Sequence, residues 1–169
     1  MKGLEHRTGD WTIRFLALSL AVTPLRQLTG WNWLARYRRI LGLLAFGYAS
    51  THLATFAVLD LELELGDVAR EIVKRPYLVV GFTAWLLLVP LAVTSTTGWI
   101  RRLGGRRWDR LHTLIYAVVP LGLLHFWWSQ KKDRSAPDEW IVVFAALLAW
   151  RVWRAVVGHV AVTRSGRSP

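Results

Sequence analysis

The sequence predicts an all-α fold, a polytopic bundle of transmembrane helices. Two observations predict it: 53% of the 169 residues are apolar, and charged residues leave gaps of about 20 residues or more. A helix of that length crosses the hydrocarbon core of a bilayer. A soluble bundle is disfavoured, because five apolar segments in so short a chain leave no amphipathic shell to face water. We predict one transmembrane domain over 1–169, with five spans at about 11–28, 39–60, 76–96, 110–130 and 139–161.

The five spans differ in how completely they are apolar. The second, third and fourth contain uncharged stretches, at 40–59, 76–100 and 111–130. The first span holds only Arg14, which lies close enough to its end for the side chain to reach the interface. The fifth carries Arg151 and Arg154 towards its C-terminal side. In the acidic loop between the second and third spans we expect a short interfacial helix at 61–73.

Charge asymmetry between the loops predicts the orientation of the bundle. The chain carries 22 Lys and Arg against 11 Asp and Glu, and a net charge of +11 fits a nucleic-acid-binding protein or a membrane protein. Five spans place 13 bases and one acid on one side, and 8 bases and 10 acids on the other, with Arg14 inside the first span. The positive-inside rule predicts a multi-pass protein of the bacterial inner membrane, with a periplasmic N-terminus and a cytoplasmic C-terminus. We therefore expect the lipid bilayer, and no nucleic acid, as a partner.

Three of the five histidines, His52, His112 and His125, fall inside predicted spans. An ionisable side chain inside the membrane costs free energy unless it has a partner or a ligand, so each is a candidate site residue. His52 on the second span and His125 on the fourth come to similar depth. Two neutral imidazoles that face each other across a bundle can each give one nitrogen to an axial position of a haem iron. An interhelical hydrogen bond is the alternative for each histidine.

His112 suggests a second haem nearer the cytoplasm, about 20 Å of helix from His125. At that depth the second span has Arg38 and Arg39 in place of a histidine. A guanidinium can pair with haem propionates, but it has no available lone pair for iron. On a straight helix His112 and His125 point about 140° apart. We expect Pro120, between them, to kink or rewind the helix and narrow that angle.

Other chemistry is excluded by the residues that are missing. The chain has no cysteine, which rules out disulfides, iron–sulfur clusters and thiolate zinc sites. It also lacks a Walker loop, a GxGxxG fingerprint, a GxSxG elbow and an HExxH helix. We therefore predict no catalytic residue, and interpret the chain as an electron-transfer subunit in which the protein sets the spacing, burial and potential of its haem.

Four stretches of the chain resemble a known family. They are RRILGLLAFGYASTHLATFAVLDL at 38–61, KRPYLVVGF at 74–82, PLAVTSTTGWIRRLGGRRWDRLHTLIY at 90–116 and LLHFWW at 123–128. The ordered combination of TST, RxLGxxxW, LH and H is similar to MsrQ, the haem-binding membrane subunit of the bacterial periplasmic methionine-sulfoxide reductase system. That family belongs to the ferric-reductase-like transmembrane group. Its intramembrane histidines fall on His52, His112 and His125, which the resemblance implies are axial ligands of haem iron.

The resemblance also implies a function. Members of the family are b-type cytochromes that take electrons from the quinone pool, or from a flavin reductase with flavin mononucleotide (FMN). They pass these electrons to a periplasmic molybdopterin-containing catalytic subunit that reduces methionine sulfoxide in oxidised proteins. The implied cofactors are thus haem b and FMN, and the catalytic subunit is a separate protein.

One departure from the family pattern and two alternative functions accompany this expectation. The family typically has six spans, and TGDW at 8–11 resembles the entry to its second, so we expect the first to be missing here. One alternative is a stand-alone ferric-reductase-like cytochrome whose acceptor is an iron chelate or oxygen. The other is a cofactor-free membrane scaffold or transporter that uses its histidines as polar contacts between helices.

Overall fold

The computed structural model describes residues 2–59, 65–130 and 134–165, and every regular element in these ranges is helical. The helices are α1 Lys2–Thr29, α2 Ala35–Leu59, α3 Leu65–Lys74, α4 Pro76–Val93, α5 Thr97–Leu103, α6 Gly105–His112, α7 Ile115–Ser129 and α8 Ser135–Ser165. A 3₁₀ turn at Asn32–Leu34 precedes α2, after a left-handed Gly30 with φ of 74° ends α1. The predicted all-α class is therefore confirmed.

Four segments of the described chain are long and apolar enough to cross a membrane. They are Asn32–Val58, Pro76–Val93, Gly105–Ser129 and Ser135–Val157. They coincide with the second to fifth predicted spans, although α4 ends at Val93 and not at the predicted residue 96. Thr96 then caps α5, because its hydroxyl accepts a hydrogen bond from the Trp99 backbone N–H at 3.3 Å. The chain is a multi-pass helical membrane protein.

The first predicted span lies within α1, which is not among these four segments. Arg14 and the polar residues towards both ends of α1 lower its apolar content. Its apolar side chains are nevertheless part of the core, where Ile13, Leu16 and Leu20 are at most 7% exposed. α1 packs along the length of α2 and also touches α8. The bundle thus contains five long helical segments, of which α1 is the least apolar.

The helices pack as two close pairs, α1 with α2 and α4 with α7. α2 contacts α4, and α8 lies against both α1 and α7. The shared core includes Phe144, Val118 and Ala45, each at most 1% exposed. Many apolar side chains point outwards instead, such as Val142 and Val152 on α8, which are 68% and 65% exposed. Such an apolar exterior is what a lipid environment requires.

The helical path of the fourth span is interrupted upstream of Pro120. Pro120 itself lies inside α7, and the interruption falls between α6 and α7 at Thr113 and Leu114. There the Thr113 hydroxyl donates to the Arg110 carbonyl at 2.7 Å, and backbone bonds of the i to i−3 type replace the α-helical ones. A residue in such a tight turn rotates about 20° further than an α-helical residue. The helix is therefore rewound at Thr113 and Leu114, between His112 and His125, and a kink at Pro120 stays a prediction.

A proline and an arginine complement each other inside the bundle. α1 continues through Pro24, which has no N–H to give to the carbonyl of Leu20. Arg151 of α8 supplies the missing donor, since its Nη2 lies 2.7 Å from the Leu20 oxygen. Its Nη1 donates to the Leu147 carbonyl at 3.1 Å. Arg151 of the fifth span thus supplies the hydrogen bond that the Leu20 carbonyl cannot receive from Pro24.

The short helix predicted in the acidic loop is present as α3, an amphipathic segment that packs against α4. Residues 61–64 of that prediction, and most of the acids beside them, lie outside the described residues. Glu71 forms an ion pair with Arg75, whose Nε lies 2.6 Å from Oε2 of Glu71. α3 thereby joins the loop to the start of α4.

Candidate functional site

His52 of α2 and His125 of α7 meet beside a cavity of about 370 Å³. Their ring centroids are 6.2 Å apart, and the ring planes make an angle of 74°. The cavity lies between α1, α2, α4 and α7, and its volume is within the range of about 300–1,000 Å³ found for small-molecule and cofactor sites. The structure therefore brings together the two histidines that the sequence placed at similar depth.

The His52 ring is hydrogen-bonded to the neighbouring helix α1. Its Nδ1 lies 3.0 Å from the backbone oxygen of Glu5 and 3.4 Å from the hydroxyl of Thr8. A carbonyl oxygen can only accept, so the hydrogen must be on Nδ1 of His52. In the neutral ring the lone pair is then on Nε2.

The His125 ring is hydrogen-bonded to α4 in the same manner. Its Nδ1 donates to the backbone oxygen of Tyr77 at 2.8 Å, and its ring stacks on the Tyr77 ring with centroids 6.0 Å apart. The lone pair of neutral His125 is therefore also on Nε2. Metal-ligating histidines typically have such a second partner, because it fixes the tautomer and the ring orientation.

The two histidines can supply the two axial ligands of one metal ion. Two bonds of about 2 Å from a metal to imidazole nitrogen, together with the two ring radii, span about 6 Å. The separation of 6.2 Å between the rings agrees with that length. Among the described residues no group of three or more His, Asp and Glu side chains could hold a metal ion. Two axial imidazoles are the ligands that a b-type haem takes from a protein, since the macrocycle supplies the other ligands of the iron.

His112 lies apart from this pair, at the end of α6, and is not among the residues that line the cavity. Its Nδ1 donates to the Trp108 carbonyl of the same helix at 3.1 Å, and the two rings stack with centroids 3.8 Å apart. Its Nε2 is buried and has no hydrogen-bond partner in the part of the chain that the structure describes. The role of His112 as a ligand stays a prediction.

Sequence reasoning missed the backbone half of the site. The carbonyls of Glu5 and Tyr77 accept the histidine N–H groups, and Gly9 and Gly81 lie against the two rings. Every residue has a carbonyl, so a sequence does not show which one accepts a histidine N–H. A glycine in an apolar helix has several common explanations. The available signal was the repeated spacing, since each glycine follows its acceptor by four residues.

The chain matches the family model described as "Ferric reductase like transmembrane component" over residues 8–123. Proteins named "Protein-methionine-sulfoxide reductase heme-binding subunit MsrQ" match most of the chain. The protein from Xanthomonas euvesicatoria pv. vesicatoria is 53% identical over 98% of this chain and 76% of its own length. The chain belongs to the MsrQ family.

Two further MsrQ proteins support this membership. The protein from Xanthomonas campestris pv. campestris strain 8004 is 54% identical over 98% of this chain and 76% of its own length. The protein from Herminiimonas arsenicoxydans is 48% identical over 90% of this chain and 71% of its own length. No solved structure matches the chain. The family resemblance expected from the four sequence stretches is therefore confirmed.

Proposed function

We propose that this chain is a membrane b-type cytochrome that holds haem between His52 and His125 and conducts electrons across the bilayer. The observation that carries the proposal is the pair of imidazoles, with ring centroids 6.2 Å apart, beside a cavity of about 370 Å³. Both rings have Nδ1–H bound to a carbonyl and Nε2 left as the donor atom. The names of the MsrQ relatives describe a haem-binding subunit, in agreement with this donor set.

The protein's own contribution is to hold and tune the ligands. Bonds from Nδ1–H to the carbonyls of Glu5 and Tyr77 orient the rings and raise the basicity of Nε2. Apolar side chains such as Leu88 and Val118 line the cavity and lower the local dielectric. When bound, haem supplies one-electron redox chemistry.

We also propose a second haem ligated by His112. A buried imidazole nitrogen without a hydrogen-bond partner is costly, and a metal ligand would satisfy it. Arg38, which the sequence places at a similar depth on the second span, can pair with a haem propionate.

The direction of electron flow rests on the family and on the charge pattern. We infer that electrons enter from the quinone pool, or from a flavin reductase with FMN. They leave to a periplasmic molybdopterin-containing subunit that reduces methionine sulfoxide in oxidised proteins. The relatives' names, which describe a subunit of a protein-methionine-sulfoxide reductase, favour this acceptor. The excess of bases on alternate loops favours an inner-membrane protein with a cytoplasmic C-terminus and a periplasmic N-terminus.

Visible absorption and ligand variants test the haem site. After expression with ample haem, we expect a Soret band, and a low-spin spectrum that is lost in His52→Ala and in His125→Ala. The His112→Ala variant should keep that spectrum while losing the second haem, because His112 is not part of the pair. A purified protein without a Soret band would contradict the cytochrome proposal and favour a scaffold or transporter. Retention of the low-spin spectrum in both pair variants would contradict the ligand assignment.

Reconstitution in vesicles tests the acceptor. With quinol as donor, we expect methionine sulfoxide to reoxidise the reduced cytochrome only when the molybdopterin subunit is present. If ferric chelate or oxygen alone reoxidises it at the same rate, the stand-alone ferric-reductase function would replace the proposal.

A further inference from the structure

We propose that Gly9 and Gly81 are positioning residues, which let the two axial histidines dock on backbone carbonyls of neighbouring helices. This inference rests on the proposed haem site. The two docking points have one geometry: an acceptor carbonyl at position i and a glycine at position i+4. Glu5 and Gly9 form this arrangement on α1, and Tyr77 and Gly81 form it on α4.

The contact at Gly81 leaves no room for any other side chain. A Cβ added there would lie 2.6 Å from Nδ1 of His125, 2.8 Å from Cε1 and 2.9 Å from Cγ. All three atoms belong to the imidazole that donates to Tyr77. A methyl group at position 81 would therefore push the ring away from its acceptor.

The contact at Gly9 is similar but looser. A Cβ added there would lie 3.4 Å from Cε1 of His52 and 3.5 Å from Nδ1. The ring of His52 therefore has space for small adjustments, and the Glu5 bond is longer than the Tyr77 bond, 3.0 Å against 2.8 Å. We expect the His52 side of the site to tolerate a substitution better than the His125 side.

Helix geometry explains the spacing of four. The N–H of residue i+4 bonds to carbonyl i, so the two groups lie next to each other on the helix surface. A carbonyl has two lone pairs, and the second can accept from a neighbouring helix if no side chain at i+4 covers it. Close approach of this kind is the usual reason for a small residue at a helix contact in a membrane protein.

Other glycines in the same helices show that this closeness is specific. A Cβ added at Gly47 of α2, or at Gly122 of α7, would meet nothing within 4 Å. Gly47 precedes His52 by five residues, and Gly122 precedes His125 by three. Gly47 is the matched control, since it shares a helix with His52 but neither touches its ring nor lines the cavity, whereas Gly122 lines the cavity.

The docking bonds set the angle between the ring planes as well as their distance. The planes lie at 74°, and each ring is held from behind by one carbonyl. In a low-spin ferric haem, the anisotropy of the g-values depends on the angle between the two axial imidazole planes. The electron paramagnetic resonance (EPR) spectrum therefore reports the positioning itself, apart from haem content or activity.

The test compares Gly81→Ala and Gly9→Ala with the control Gly47→Ala in the full chain. For Gly81→Ala we expect roughly a ten-fold or greater loss of haem affinity, as overpacking of this degree costs, and an altered largest g-value in the haem that remains. Gly9→Ala should keep its haem and shift the g-value less. Gly47→Ala should match the wild type, and since alanine favours helix over glycine, no loss at position 81 comes from helix propensity.

The outcomes separate this inference from the function on which it rests. A wild-type protein without haem would overturn the proposed function. A haem-bound wild type whose EPR g-values and midpoint potential are unchanged in both Gly81→Ala and Gly9→Ala would overturn the positioning role. An equal loss in Gly47→Ala would also overturn it. If Gly81→Ala does not yield folded protein, the g-values of Gly9→Ala against those of Gly47→Ala decide.

Discussion

The end of the bundle that holds His52 and His125 differs from the end that holds His112 in how its helices are tied together. At the first, called the pair end here, the histidines themselves make the contacts between helices. His52 donates from α2 to Glu5 of α1, and His125 donates from α7 to Tyr77 of α4. Any change in how these helices pack must therefore move the two rings.

At the other end, other side chains make the contacts between helices. His112 donates to Trp108 of its own helix, whereas Trp108 donates through Nε1 to the carbonyl of Thr94 at 2.9 Å. Arg151 reaches from α8 to Leu20 of α1. At this end the orientation of the His112 ring is therefore set within its own helix and not by the contacts between helices. We expect substitutions in the contacts between helices to change the spectrum at the pair end, and mainly the stability at the His112 end.

The largest effect in this comparison is expected for Arg151→Met. The substitution removes a charged donor and leaves the Leu20 carbonyl without a partner, because Pro24 has no N–H to offer. A hydrogen bond to a charged group is worth about 2 kcal/mol, so the free energy of unfolding should fall by about that amount. Unfolding in mixed detergent micelles measures it, and the low-spin spectrum of the pair should stay unchanged.

Two further variants decide whether the Leu20 carbonyl is the cause. Arg154→Met, which changes an exposed arginine on the same helix, should have little effect. In a Pro24→Ala background the new N–H can bond to Leu20, so the cost of Arg151→Met should shrink. An unchanged cost in that background would show that Arg151 acts through some other contact.

The extent of prediction from sequence differs between these contacts for a physical reason. Long uncharged stretches and intramembrane histidines are properties of single residues and of composition, so the spans and the three candidate ligands could be read directly. The hydrogen-bond and packing partners of those residues could not be predicted in this way. Gly81 matters because it has no side chain where the His125 ring approaches, and Leu20 matters because its carbonyl accepts from Arg151. Both contacts exist only once two helices lie next to each other. The turn at Thr113 likewise depends on a local hydroxyl bond that competes with the helix, and such a bond is less visible in a sequence than the proline at position 120.

A smaller effect is expected for Trp108→Phe, at the His112 end. Phenylalanine keeps a ring for stacking on His112 but loses the donor to the Thr94 carbonyl, so the free energy of unfolding should fall by about 1 kcal/mol. Trp108→Leu also removes the stacked ring, and should reduce the content of the second haem while the pair keeps its spectrum. Trp33→Phe, at a tryptophan that is 51% exposed, is the control. Loss of the pair's low-spin spectrum in Trp108→Leu would show that the two ends are not separate.

The smallest effect is expected for Glu71→Gln, which removes the ion-pair partner of Arg75, a residue that lines the cavity at the pair end. Glu71 is paired with Arg75, but that side chain is 53% exposed, and exposed ion pairs contribute at most about 1 kcal/mol. We expect the free energy of unfolding to fall by less than that. The difference should vanish at about 1 M salt, where the screening length is about 3 Å. The g-values of the pair should not change, because both rings are held by backbone carbonyls and not by surface charge. A change in g-values as large as that of Gly81→Ala would mean that the ion pair of Glu71 with Arg75, and not the docking on glycine, determines the orientation of the ligands.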